Sequence, residues 1–117
     1  MMNPKTNPMS EPKPKATVRF STSVKSDITD LEVTANGYPL KVTVENGEFT
    51  CHFNGKITGG NAITVIYEIT GLTGTAYSIS YTCSADGINK SDPLHPSPVT
   101  GTIDIGNNDT KTVTIQI

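Results

Sequence analysis

Residues 31–55 read LEVTANGYPLKVTVENGEFTCHFNG and contain three Asn-Gly pairs, at Asn36-Gly37, Asn46-Gly47 and Asn54-Gly55. Between the pairs, apolar residues alternate with polar ones, which is the period of a strand with one buried face. Asn-Gly favours the positive φ angles of the two-residue turns that join antiparallel strands. The stretch therefore predicts an antiparallel meander over residues 28–53, with a turn at each Asn-Gly pair.

The same alternation continues on both sides of this stretch. It places four groups of apolar residues on inward faces, and a loop over residues 56–61 separates the second group from the meander. Gly101 suggests a bulge within the last predicted strands. The inward residues are Ala16, Val18, Phe20 and Val24; Ile63, Val65, Tyr67 and Ile69; Tyr77, Ile79, Tyr81, Cys83 and Ala85; and Val99, Ile103, Ile105, Val113, Ile115 and Ile117.

Composition agrees with an all-β chain. Thr, Ile and Val supply 37 of the 117 residues, whereas Leu and Ala together supply 9. β-branched side chains lose rotamer freedom in a helix and pack well on a pleated sheet. About seven to eight short strands and no helical window predict two packed antiparallel sheets in one domain, residues 16–117.

Residues 1–15 differ from the rest of the chain. They contain four of the eight prolines and all three methionines, with three lysines against one glutamate. Such a segment favours extended backbone and cannot form a core. We interpret it either as a linker or as an arm that docks on a protein partner; the docking residues would be Met1, Met2, Pro4, Lys5, Pro8, Met9, Pro12, Lys13, Pro14 and Lys15.

Several functional classes find little support in the residues. The formal net charge is −2 and the basic residues are scattered, which argues against a nucleic-acid partner. No apolar run approaches the roughly 20 residues of a membrane span, and the first residues show no secretory signal. We also find no motif for an enzyme, a cofactor or a metal site, so the expected protein is a non-enzymatic module.

The segment Tyr67–Tyr81 resembles the region between strands E and F of fibronectin type III and related immunoglobulin-like domains. The resemblance implies an immunoglobulin-like β-sandwich, with Leu72 closing one end of it. It also implies a corner tyrosine whose hydroxyl binds back to the preceding turn, either Tyr77 or, by the Tyr-x-Cys pattern that ends at Cys83, Tyr81.

Cys51 and Cys83 both fall on inward positions, so they could face each other across a sandwich. Without a secretory signal, two buried free thiols are the favoured reading, and a disulfide is the alternative.

A single sandwich with a docking arm resembles the accessory, or decoration, proteins of bacteriophage virions. The resemblance implies localisation on the virion and docking through the arm to capsid or tail subunits, with a host-surface ligand and homo-oligomers as further partners. The alternative is a fragment of a secreted or cell-surface bacterial adhesin with a fibronectin type III-like domain.

Overall fold

The computed structural model describes residues 15–25, 27–58 and 60–117, and these ranges contain strands and turns but no helix. Three strands have only two or three residues, which is why the described residues form more strands than the seven to eight predicted. The strands are β1 (Lys15–Lys25), β2 (Asp30–Ala35), β3 (Tyr38–Pro39), β4 (Thr43–Glu45), β5 (Glu48–Thr58), β6 (Ala62–Thr70), β7 (Ala76–Ala85), β8 (Ile88–Lys90), β9 (Val99–Thr102) and β10 (Asn108–Gln116).

The strands form two antiparallel sheets that bury their inward faces against each other. Sheet A has the order β4-β5-β1-β7-β8, with β9 pairing β7 beyond the end of β8, and sheet B has the order β10-β6-β2-β3. The predicted all-β, two-sheet fold is thus confirmed. The first two strands of the chain are central strands, one in each sheet, so the rest of the chain is built around them.

Period-two alternation locates the core correctly. Every second residue of β6 and β7 is buried, from Ile63 to Ile69 and from Tyr77 to Ala85. The inward position predicted for Ile105 is wrong, because this side chain is 90% exposed in the turn before β10. Leu72 is 74% exposed in the turn after β6 and does not close the end of the sandwich.

Two of the three Asn-Gly pairs form the predicted turns. Asn36-Gly37 joins β2 to β3 and Asn46-Gly47 joins β4 to β5, and all four residues have positive φ. Asn54-Gly55 forms no turn, because β5 continues through it to Thr58 alongside β1. The Phe53 ring lies over Gly55, where a Cβ would stand 2.9 Å from its Cζ atom, so this glycine provides space for the ring.

The predicted meander is also wrong, as is the loop expected to begin at residue 56. After Pro39 the chain leaves sheet B, and residues 40–42 cross to sheet A, where β4 begins. β3 ends at Pro39 as an edge strand, where the missing proline amide costs no ladder bond, and the Leu40 amide still donates to the carbonyl of Val33 at 2.8 Å before the chain crosses. Leu40 and Val42 of the crossover pack half-buried against the core.

Gly101 does not form a bulge. The register of β9 on β7 is continuous from Ala76↔Thr102 to Ile79↔Val99, with Gly101 opposite Tyr77. A Cβ at this position would overlap the hydroxyl of Tyr77, so the glycine is required by the close approach of that ring.

Candidate interaction surfaces

The strand that follows the N-terminal arm is held from both sides. β1 pairs with β5 along its whole length and with β7 from Val18 to Lys25. Lys15 was expected in the arm but is the first residue of this strand, opposite Thr58. The other docking residues named above, Met1 to Pro14, lie outside the described residues.

Residue 117 lies at the same end of the sandwich as the start of β1. Ile117 donates its amide to the carbonyl of Asn61 at 2.8 Å and accepts the amide of Gly60 at 2.9 Å, so it borders the turn that follows Thr58. We call this the arm end. The opposite, distal end carries residues 27–29, the Asn46-Gly47 turn and the turns at 71–75 and 103–107. Anything attached to Lys15 and to Ile117 therefore meets the sandwich at one end, and the distal end projects away from it.

Charge is distributed unevenly along this axis. Eight of the ten carboxylate side chains of residues 15–117 lie in the distal half, with Lys25, Lys41 and Lys111 as the cations beside them. The arm half carries Lys15, Arg19, Lys56 and Lys90, against Asp86 and Asp92. The eight distal carboxylates are Asp27, Asp30, Glu32, Glu45, Glu48, Glu68, Asp104 and Asp109.

Neither tyrosine singled out by the resemblance binds back to the preceding turn. The buried Tyr77 donates its hydroxyl to Asp109 on β10, in the other sheet. Burial is the first cause that raises the pKa of Tyr77, and the Asp109 carboxylate adds to it. Tyr77 is thus a contact between sheets rather than a corner tyrosine.

Tyr81 binds the loop that follows β8. Its hydroxyl donates to the carbonyl of His95 at 2.8 Å and accepts the amide of Asp92 at 3.0 Å. Both partners lie later in the chain than Tyr81. The corner expected at this residue is therefore also wrong, and the tyrosine instead fastens the loop of residues 91–98 to sheet A.

Asp92 attaches the same loop to sheet B. Asp92 is 4% exposed. Its carboxylate accepts the amide of Thr114 on β10 and the amide of Leu94, both at 2.9 Å, and contacts Nδ1 of His95 at 2.9 Å. The Thr114 amide is the largest of the causes that hold the pKa of Asp92 at about 2, against an ordinary 3.8. The loop thereby takes up the Thr114 amide on the outer edge of β10, an amide that would otherwise be open to another strand. Sequence spacing offered no signal for this role.

Cys51 and Cys83 are buried free thiols. They do not face each other across the sandwich, because they lie on β5 and β7, two strands of one sheet with β1 between them. Strands two positions apart are about 10 Å apart, beyond the Cα separation that a disulfide spans. Burial raises the pKa of Cys51 to about 11 and that of Cys83 in the same direction, which keeps both sulfurs protonated.

A shallow groove of about 360 Å³ on the outer face of sheet A brings together a serine and a histidine. Oγ of Ser21 lies 3.2 Å from Nδ1 of His52 across the β1–β5 ladder. Because the two residues are 31 positions apart in the chain, their spacing in the sequence does not indicate that they form a pair. Ser21 lies on a central strand whose amides serve two ladders, so the geometry offers no pair of free amides to stabilise an oxyanion beside it.

The ranges that the structure describes contain no group of three or more His, Cys, Asp or Glu side chains that could hold a metal ion. They also contain no helix long and apolar enough to cross a membrane. Comparison with protein-family models, with curated proteins and with solved structures found no match to this chain.

Proposed function

We propose that the protein is a non-enzymatic structural and binding module, held on a larger protein assembly by its N-terminal arm. The observation that carries this proposal is the position of β1. The arm continues into a central strand bonded to a neighbour on each side, so a load on the arm acts on two ladders at once. A load on a tether attached to an edge strand would act on only one ladder.

We further propose that the sandwich is immunoglobulin-like in its strand order. Immunoglobulin sheets run A-B-E-D and G-F-C-C′. If β1 is taken as B, then β7-β1-β5-β4 follows the first order and β10-β6-β2-β3 follows the second. In this assignment β7, which comes late in the chain, occupies the place that strand A has in the family, and Tyr77 and Tyr81 lie outside strand F.

The assembly that we propose is a bacteriophage virion, with the protein as an accessory that decorates capsid or tail subunits. Lys15 and Ile117 lie at the same end of the sandwich, so a partner attached at either leaves the distal end free, which supports a module fixed at one end and displayed at the other. A bead in a string of adhesin domains would instead receive its linkers at opposite ends, so this geometry favours the virion over a secreted or cell-surface adhesin. A host-surface ligand would meet the distal end.

A binding role is also consistent with how the reactive side chains are used. Asp92 and Tyr81 use their polar atoms in contacts between a loop and a sheet, and Tyr77 uses its hydroxyl in a contact between the two sheets. The Ser21–His52 pair lies on an open face without an oxyanion site. We therefore propose no catalytic activity.

Co-sedimentation with purified particles tests the arm. Because Lys15 belongs to β1, the cut should remove residues 1–14 only. We expect this truncation to abolish particle binding while circular dichroism and the unfolding midpoint stay those of the full chain. A fusion of residues 1–14 to an unrelated soluble protein should gain binding. Unchanged co-sedimentation of the folded truncation would contradict the proposal.

A further inference from the structure

The arm half of the outward face of sheet A is cationic, whereas the outward face of sheet B is anionic. The outward face of sheet A, here face A, presents Lys15, Arg19 and Lys56 in its arm half, with Asp86 at the turn below them. Its distal edge has Lys25 beside Glu48, with Glu45 next to them. The outward face of sheet B, here face B, presents Asp30, Glu32 and Glu68, and the strand residues on that face include no cation.

These charges have few partners within the sandwich. In the described ranges the one ion pair within 4 Å joins His95 to Asp92, and neither lies on these two faces. Arg19 has the uncharged Asn54 and Ser84 opposite it on the neighbouring strands. Glu32 and Glu68 are direct cross-strand neighbours, an arrangement of like charges that destabilises a sheet. A cationic partner would offset that repulsion.

We propose that face B of one copy of this chain docks on face A of a second copy, with Glu32 and Glu68 against Arg19 and Lys56. Both faces are regular ladders of extended strands, and short hydroxyl side chains surround the charges, with Thr110 and Thr112 on face B and Ser21 and Ser23 on face A. Such surfaces approach closely without trapping long side chains. The inference stands apart from the proposed function, because it needs neither the arm nor a particle.

The geometry also sets the form and strength of the association. Face A meets face B, so the contact is heterologous and leaves a free face at each end of the pair; copies add in an open series. The strands of face B have nine, nine, six and two residues and cover about 400 Å² of each partner. This is below the roughly 800 Å² per partner of a standard stable interface, so the contact is weak and depends on salt.

Sedimentation velocity of the full chain tests this contact. At about 10 mM salt, where charges act over roughly 30 Å, we expect the weight-average mass to rise with concentration above the 12.5 kDa of one chain. At about 0.5 M salt it should return to that mass. A monomer at every concentration in low salt would overturn the proposal.

Charge reversal then identifies the surfaces. Arg19→Glu with Lys56→Glu, and separately Glu32→Lys with Glu68→Lys, should each give a monomer in low salt. A mixture of the two variants should associate again, because each altered face then meets its opposite. A matched control, Lys90→Glu with Lys111→Glu, changes net charge by the same amount at strand positions that lie opposite the inward residues Cys83 and Tyr67, and it should still associate.

The arm is the other basic element that could occupy face B. Lys5→Glu with Lys13→Glu in the full chain decides between them. Association unchanged by this variant supports contact between the faces, whereas loss of association would overturn it in favour of the arm. Equal loss in the Lys90 and Lys111 control would also overturn it, since net charge alone would then govern the effect.

Discussion

The hydroxyl of Tyr67 on β6 lies 2.8 Å from Oγ1 of Thr22 on β1 and joins the two sheets inside the core. The Thr22 hydroxyl donates to the carbonyl of Ser80, also at 2.8 Å, so Tyr67 is the donor in the bond between the two hydroxyls. The three groups form a short relay from sheet B to sheet A. Tyr67 is fully buried, and desolvation raises the pKa of its phenol.

This relay predicts unequal costs for its two ends. Thr22→Val leaves the Tyr67 hydroxyl buried without an acceptor, which costs about 1–3 kcal/mol. Tyr67→Phe removes a donor but leaves Thr22 bonded to Ser80, so it should cost less. The double variant should be more stable than the sum of the single costs predicts, as a double-mutant cycle by urea unfolding would measure. Equal single costs that simply add would contradict this reading.

Gly101→Ala should destabilise the protein, because the new methyl group would overlap the Tyr77 hydroxyl. Overpacking of this kind costs about 1–3 kcal/mol. The same substitution should cost much less in a Tyr77→Val background, where the ring is gone. Denaturant unfolding of the four proteins provides the measurement, and an equal cost in both backgrounds would show that strain elsewhere is responsible.

Asp92 should contribute a component of stability that depends on pH. The Thr114 amide, first among its partners, holds the pKa of this carboxyl at about 2, against 3.8 without the fold. A group with a lowered pKa in the folded state stabilises it above the unfolded value and loses that contribution as pH falls through the folded one. We expect this contribution to be complete above about pH 4 and to decline toward pH 2.

Urea unfolding between pH 2 and pH 6 checks this expectation. Asp92→Asn should be less stable than the parent above pH 4 and should approach it toward pH 2, so the difference between them shrinks. Asp27→Asn, at an exposed carboxylate, is the matched control and should follow the parent closely. A constant difference between Asp92→Asn and the parent across the range would refute the assignment.

Both cysteines should remain reduced and unreactive in the folded protein. Because burial raises the pKa of Cys51 to about 11, the nucleophilic thiolate is scarce at neutral pH, and access to the sulfur is blocked. Alkylation followed by mass measurement should add nothing to the native chain and two groups in denaturant without reductant. A mass that shows no alkylation in denaturant would reveal a disulfide and restore the adhesin alternative.

The local sequence pattern was sufficient to predict the class of fold. β-branched composition and period-two alternation predicted strands, and the buried residues of β6 and β7 are those that alternation selected. Asn36-Gly37 and Asn46-Gly47 became turns because the residues beside them pair with each other, Ala35 with Tyr38 and Glu45 with Glu48. These properties depend on a residue and its near neighbours, so the sequence by itself determined them.

The local sequence pattern could not predict which distant strands pair with each other. Asn54-Gly55 has the same turn preference, but the pairing of β5 with all eleven residues of β1 outweighs it. The crossover after Pro39, the assignment of Cys51 and Cys83 to one sheet, and the contacts of Tyr77 and Tyr81 follow from the same competition. The difference in charge between face A and face B follows from it as well, because period-two alternation predicts whether a residue points inward or outward but not which sheet it belongs to. Only the tertiary structure decided these features, because their energies come from residues far apart in the chain.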